Sequence, residues 1–527
     1  MQTPPSDRSH DSEILEAWRR ERDEILSVRD ATITRLEQQI QRLLEPIKLL
    51  THKRFAASSE QHPGQGQLFN EAEDLWVPEV LETPVAPAGD TDTPKASTRR
   101  GRKPLSKDLP RVRVVHDLPE AEKICGGCGT ALPLIGEDCT ESLDYIPAQI
   151  QVIEHVHLKY GCRGCTEGVV TAKAPKGPIK GGILSPNLLA HVMVSKHEHS
   201  LPLYRQETLF AELGVTLSRS TLSHGMIQGA AVLMPLYATL QDILRHQPIL
   251  HADETTVPVL HEPGRTPQSQ SSMWLYCTGR EGPPIVLYDY QPTRAGSHPR
   301  AFLAGFTGHL QVDGYAAYDT LPDVTLVACW AHCRRKFDEA LKAQPKGDIM
   351  NASRARKAMD QIGALYGIER EIVGLTAQER TRIRHERARP LVADFHAWLL
   401  TVQGKVLPKG LLGQVVSYTL RQWEKLERYL EDGRLEIDNN RAERAIKPFV
   451  IGRKNWMFSN TPNGAHASAV LYSLIATAKA NGLVPFDYLR HLLTVLPNLT
   501  RADEVEQLLP WKVMLPKDAP ERSPGTC

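Results

Sequence analysis

The chain has 527 residues, 41% of them hydrophobic and 24% charged, with a formal net charge of +1. That length exceeds one core and suits roughly three or four domains. No apolar run approaches the ~18 residues of a membrane span, and the N-terminal stretch MQTPPSDRSHDSEILEAW lacks the basic and apolar parts of a signal peptide, which places the protein in the cytosol. Near-neutral overall charge means that any contact with nucleic acid must rest on local basic clusters.

From Leu15 to Leu50 apolar residues recur in steps of four and three, with Leu26, Ile33, Leu36, Ile40, Leu43, Ile47 and Leu50 on one seam. That spacing predicts a coiled coil, or an amphipathic helix packed on its own protein. Arg19, Arg22 and Arg29 interrupt the seam, and Pro46 is expected to kink or end the helix, shortening any zipper. Residues 83–110 are rich in Pro, Thr and basic residues and read as an extended linker. Within it, Arg99, Arg100, Arg102 and Lys103 form an arm suited to a DNA minor groove, or a solvated charge run.

Four of the nine cysteines form two Cys-x-x-Cys knuckles, Cys125/Cys128 and Cys162/Cys165. In a reducing compartment such a set points to tetrahedral Zn2+ rather than to disulfides. Four thiolates leave no open position for water, so the ion's role is structural. His155 and His157 nearby read as strand-surface residues.

Residues 183–245 read as several helices, with one ending near Gly214 and another capped by Ser218, a spacing compatible with a helix-turn-helix or with plain helix packing. From Pro248 the texture changes to short strands. ILHADETTVPVL, MWLYCTGR and PIVLYDY precede a helix at 299–306, then HLQVDGYAAY and VTLVACWAH follow, an order that predicts a mixed α/β sheet. Residues 334–434 look almost wholly helical, as does the C-terminal part from GAHASAVLYSLIATAKANGL onward.

Cutting or joining a phosphodiester requires charge neutralisation at both the attacking and the leaving oxygen, which carboxylate-bound Mg2+ or Mn2+ supplies. Asp253 lies inside an apolar strand, where an ionised group needs compensation. Asp313 ends another, beside Gly314. A third acidic segment, LEIDNNRAERAIKPF, holds Glu436, Asp438 and Glu443, the last in an Asn440-x-x-Glu443 pattern that a helix-capping box would equally explain. In IGRKNWMFS, Arg453 and Lys454 stand beside Trp456, a set that suits phosphates and an unpaired base, or a core tryptophan beneath a basic face.

The strings HADET, QVDGYAAYD, CWAHCRRKF and DNNRAERAIKPFVIGRKNWMFS, in this order, resemble the insertion sequence sixty-six family of bacterial DDE transposases. The likeness extends over residues 12–515 and implies a multidomain α/β protein whose ribonuclease-H-like catalytic domain carries a helical insertion. The implied parts are a leucine zipper at 12–60, a linker with a basic arm at 61–110, a zinc module at 111–175 and a helix-turn-helix-like region at 180–245. A catalytic domain at 246–460 with its insertion at 334–434, and a C-terminal helical domain at 461–515, complete the order. Carried over by position, the resemblance makes Asp253, Asp313 and Glu443 the metal-binding triad, with Glu436 or Asp438 as alternatives for the third acid. Cys329 and His332 match a Cys-x-x-His pair, read as packing and hydrogen bonding near the site. The resemblance further implies binding to the ends of a mobile element and to target DNA, self-association, small accessory proteins of the same element, and a place at the bacterial nucleoid. A ribonuclease-H-fold nuclease or resolvase and a catalytically inert DNA-binding regulator are the rival readings.

Overall fold

The structure is a computed structural model that describes residues 8–55, 149–161, 169–172, 175–344 and 349–516. It divides into two compact units, Gln65–Ile153 and the remainder, and all that follows concerns the second. The cysteines of both knuckles and the Arg99–Lys103 arm lie outside the described residues. Helix α1 (Arg8–Phe55) runs without interruption through Pro46, which corrects the expectation of an earlier end. The missing N–H frees only one carbonyl of the ladder. Ile33, Leu36, Ile40 and Leu43 are all exposed along it.

Strands β1 (Lys159–Gly161) and β2 (Val169–Thr171) pair antiparallel, flanking residues 162–168. Residues 154–158, which carry His155 and His157, form no strand. Three helices follow, α2 (Pro186–His197), α3 (Leu203–Glu212) and α4 (Arg219–Arg245). Gly214 ends the α3 turn at φ +83, and Ser218 caps α4 by accepting the Thr221 N–H at 3.2 Å. One face of α4 is nonetheless core: Leu222, Leu233, Leu236, Leu240 and Leu244 are buried.

The sheet begins with β3 (Ile249–Pro258), β4 (Gln270–Thr278) and β5 (Val286–Gln291), an antiparallel meander. Helix α5 (Ser297–Phe302) then leads to β6 (His309–Val312) and β7 (Thr325–Ala328), both parallel to β3. The strand order is β5-β4-β3-β6-β7, so β3 is central. Strand β4 is buried at every position after Gln270, as expected of a Val/Tyr/Trp-type segment covered on both faces.

Helices α6 (Trp330–Lys342), α7 (Ile349–Glu371), α8 (Ala377–Ile383), α9 (Arg389–Gln403), α10 (Leu411–Arg421) and α11 (Trp423–Glu427) form a helical block between β7 and the acidic segment, where the sequence reading expected an insertion. Its core of Trp330, Phe337, Ile362, Phe395, Leu399 and Tyr429 runs on to Val327 of β7. The chain then returns to the sheet. In α12 (Asn440–Trp456), Ala442, Ile446 and Phe449 pack on Val257 of β3, Met273 of β4 and Tyr288 of β5. Helices α13 (Pro462–Ala480) and α14 (Pro485–Val495) close the fold, α13 against β5 and α4 and α14 against α2.

Candidate active site

Two acids meet through strand register. Strands β3 and β6 pair as Ile249↔His309, Leu250↔Leu310 and His251↔Gln311; two residues further on stand Asp253, within β3, and Asp313, one residue past the end of β6. Gly314 turns the chain away at φ +92. There the Tyr315 N–H donates to Asp313 Oδ1 at 2.9 Å and the Tyr418 hydroxyl to the Asp313 carbonyl at 3.0 Å. Both aspartates are half-buried.

Glu443 sits in the first turn of α12, but not as a capping residue. The N-cap is Asn439, whose side chain makes no capping bond, and Asn440 is already helical. This sets aside the alternative of an Asn440-to-Glu443 capping box: the Asn439 amide is taken up by β3, and Asn440 Nδ2 donates to Asp438 Oδ2 at 2.9 Å. The Glu443 carboxylate instead faces α6, with His332 Nδ1 at 3.6 Å and Arg335 Nη2 at 3.5 Å. The other acids of the segment are engaged elsewhere. Glu436 is held by Arg441 and by Arg280 at 3.2 Å, while Asp438 accepts from the Tyr366 hydroxyl at 3.0 Å.

Burial pushes the Asp253 carboxyl well above the ordinary carboxylate range, and the charges of Glu254, Asp313 and Glu443 push the same way against one backbone hydrogen bond. Its neighbour Glu254 is also raised by burial, but that carboxylate has partners, since it pairs with Arg294 and accepts from the Tyr318 hydroxyl at 2.7 Å. Asp313 and Glu443 are thus close enough for their charges to act on Asp253, at the C-terminal end of the central strand. All three offer hard oxygen donors, the set that fits Mg2+ or Mn2+.

Compared with known proteins, residues 181–467 match the Transposase IS66 family. The chain belongs to that family. The IS66 C-terminal element matches residues 473–511, the zinc-finger binding domain of transposase IS66 matches 122–166, and the transposase C of IS166 homeodomain matches 42–114. The zinc-finger match encloses Cys125, Cys128, Cys162 and Cys165, so the transposase carries a zinc-binding module. Among its relatives are uncharacterized proteins of Sinorhizobium fredii. With y4jD the chain is 36% identical over 459 residues, covering 83% of this chain and 88% of that protein. With y4hP it is 34% identical over 450 residues, covering 80% and 79%. Among the described residues no helix is long and apolar enough to cross a membrane.

The remaining site residues of the transposase fall in two places. Cys329 is the N-cap of α6, and its Sγ accepts the Asn439 N–H at 3.2 Å. Cys329, His332 and Glu443 present ligand atoms within 4.8 Å of one another, although burial lifts the Cys329 thiol well above its usual range and keeps it protonated. Arg453 donates to the Thr256 hydroxyl at 3.2 Å, and Lys454 is exposed. Trp456 packs edge-on against Phe449, centroids 5.4 Å apart, with the Lys196 ammonium 5.5 Å from its ring. Sequence reading missed Gln311, Arg335 and Asn439, and it had no signal for them, because their partners lie on elements far away in the chain.

Proposed function

We propose that this transposase binds the ends of an insertion sequence, cleaves a strand at each end and joins the freed 3′-hydroxyl to target DNA. The observation that carries the reading is that Asp253, near the middle of β3, and Asp313, just past the end of the adjacent parallel β6, both follow the paired His251 and Gln311 by two residues, with Glu443 near enough to bear on Asp253. A meander of three antiparallel strands, extended by two parallel to the central first strand, supports a ribonuclease-H-like sheet. Asp253, Asp313 and Glu443 would hold two divalent cations, whose chemistry is to neutralise charge on the attacking and leaving oxygens of an in-line displacement.

The protein's own groups prepare that site. His332 and Arg335 orient the Glu443 carboxylate, the Glu254–Arg294 pair keeps a second β3 acid occupied, and the Gly314 turn leads the chain away just after Asp313. Arg453 and Lys454 at the end of α12 are placed to meet phosphates. In the full arrangement, α1 pairs copies as a coiled coil and the basic arm and zinc module dock on DNA. The proposed order is zipper 12–60, linker 61–110, zinc module 111–175, helical region 180–245, catalytic domain 246–460 and C-terminal domain 461–515.

Purified full-length protein, labelled element ends, plasmid target and Mg2+ test the reading. Joined products support it. Hydrolysis without joining would replace it with a nuclease or resolvase, and end binding with neither would replace it with an inert regulator.

A further inference from the structure

We propose that two buried amides, Asn439 and Gln311, are positioning residues that set the third acid against the two aspartates. The inference rests on the triad reading above and extends it to groups that touch no reacting atom.

Asn439 is fully buried, and as an N-cap it forgoes capping its own helix, an interaction ordinarily worth about 1 kcal/mol. Its Nδ2 donates instead to the Ala252 carbonyl at 2.8 Å, and its Oδ1 accepts from His251 Nδ1 at 3.0 Å. Both contacts fall on the two residues of β3 immediately before Asp253. Its backbone N–H reaches Cys329 Sγ, and its carbonyl accepts the Glu443 N–H at 3.2 Å. An unbroken chain of bonds thus runs from the strand of Asp253, through one side chain, into the turn of helix that carries Glu443.

Gln311 repeats the device on the neighbouring strand. It is fully buried two residues before Asp313. Its Nε2 donates to the Glu436 carbonyl at 2.7 Å, and its Oε1 accepts the Glu436 N–H at 2.8 Å. The segment 436–439 is therefore pinned at one end to β6 and at the other to β3, each time next to a catalytic-site aspartate. An amide presents a donor and an acceptor on separate atoms without charge, whereas a carboxylate in its place would meet backbone carbonyls with acceptors alone. Three carboxylates from three elements must converge within a fraction of an ångström to share cations, and outer groups of this kind set such convergence.

The test titrates Mn2+ into zinc-loaded full-length protein and reads the free Mn2+ by electron paramagnetic resonance, for Asn439→Ala and for Gln311→Met, which retains side-chain volume. Asp253→Asn reports on the site itself, and Phe395→Leu, in the core of the helical block, serves as a control for lost stability. Both amide variants are expected to bind Mn2+ about 10–100-fold more weakly, to bind element ends as the parent does, and to regain cleavage as Mn2+ is raised, while Phe395→Leu keeps parental affinity at equal or greater loss of melting temperature. If either folded amide variant keeps parental Mn2+ affinity, or if Phe395→Leu weakens it equally, the positioning role is overturned while the triad stands. If Asp253→Asn binds Mn2+ like the parent, the triad reading beneath it fails instead.

Discussion

Asp253 in β3 and Asp313 just past the end of the parallel β6 each lie two residues beyond a paired position, because the β3–β6 register matches His251 with Gln311. The pairing matters because each acid then depends on the backbone that fixes its place. At Asp313 that backbone is a glycine. Gly314 holds φ +92, and a Cβ there would lie 2.9 Å from the Tyr418 hydroxyl, the group that donates to the Asp313 carbonyl. Gly314→Ala is expected to slow cleavage about tenfold to a hundredfold, as small misplacements of reacting groups do, with little change in end binding. Single-turnover rates beside melting curves check this, and a parental rate in a folded variant would refute it.

How far the site was legible in the sequence varies with the range of the interaction that makes it. The five strands read directly, since ILHADETTVPVL, MWLYCTGR and PIVLYDY are short apolar runs bounded by turn residues. Asp253 and Asp313 were visible as acids in such runs, but their matched positions follow from a pairing 60 residues apart in the chain. For Glu443 the local pattern pointed equally to a cap. What decided against the cap was the Asn439 amide going to β3 and the carboxylate going to α6, two tertiary choices with no local signature. At Pro46 the expected end does not occur, since α1 continues to Phe55.

Inside the helical block, Arg384 is wholly buried and fully bonded. It holds Glu369 through Nε and Nη2, each at 2.7 Å, and reaches the carbonyls of Tyr429 at 2.7 Å and Leu435 at 2.9 Å. This fork braces the loop that leads into the acidic segment. Replacing Arg384 by Met leaves the buried Glu369 carboxylate with Arg380 alone, at 3.4 Å, and is expected to cost about 3 kcal/mol, read from denaturant unfolding. Arg384→Lys should restore little of that, since an ammonium lacks the planar fork.

Acid should weaken the fold at α2. Burial, aided by the nearby Lys196 charge, lowers the pKa of His197 to about 3, and its Nδ1 donates to the Met193 carbonyl at 2.8 Å. Because the folded state resists protonation, its stability is complete above the unfolded value near 6.5 and declines as pH falls toward about 3. At pH ~5 the loss is about 2 kcal/mol for this group. His197→Gln should flatten the melting profile between pH ~7 and ~5 by that amount, and an unchanged slope would contradict the account.

Along α1 the exposed Ile33, Leu36, Ile40 and Leu43 form an apolar seam that a second copy would cover. Removing residues 1–60 is expected to reduce the assembly to monomers in light-scattering measurements and to abolish paired-end complexes while single-end binding persists. A truncated protein of parental mass would show that association resides elsewhere.

The central claim is that three carboxylates act as one site, and single-turnover cleavage in Mg2+ by Asp253→Asn, Asp313→Asn and Glu443→Gln tests it most directly. Each folded, DNA-binding variant is predicted to cut and join at least about a thousandfold more slowly than the parent. Parental rates in all three would contradict the assignment, and a parental rate in Glu443→Gln alone would remove the third acid from it.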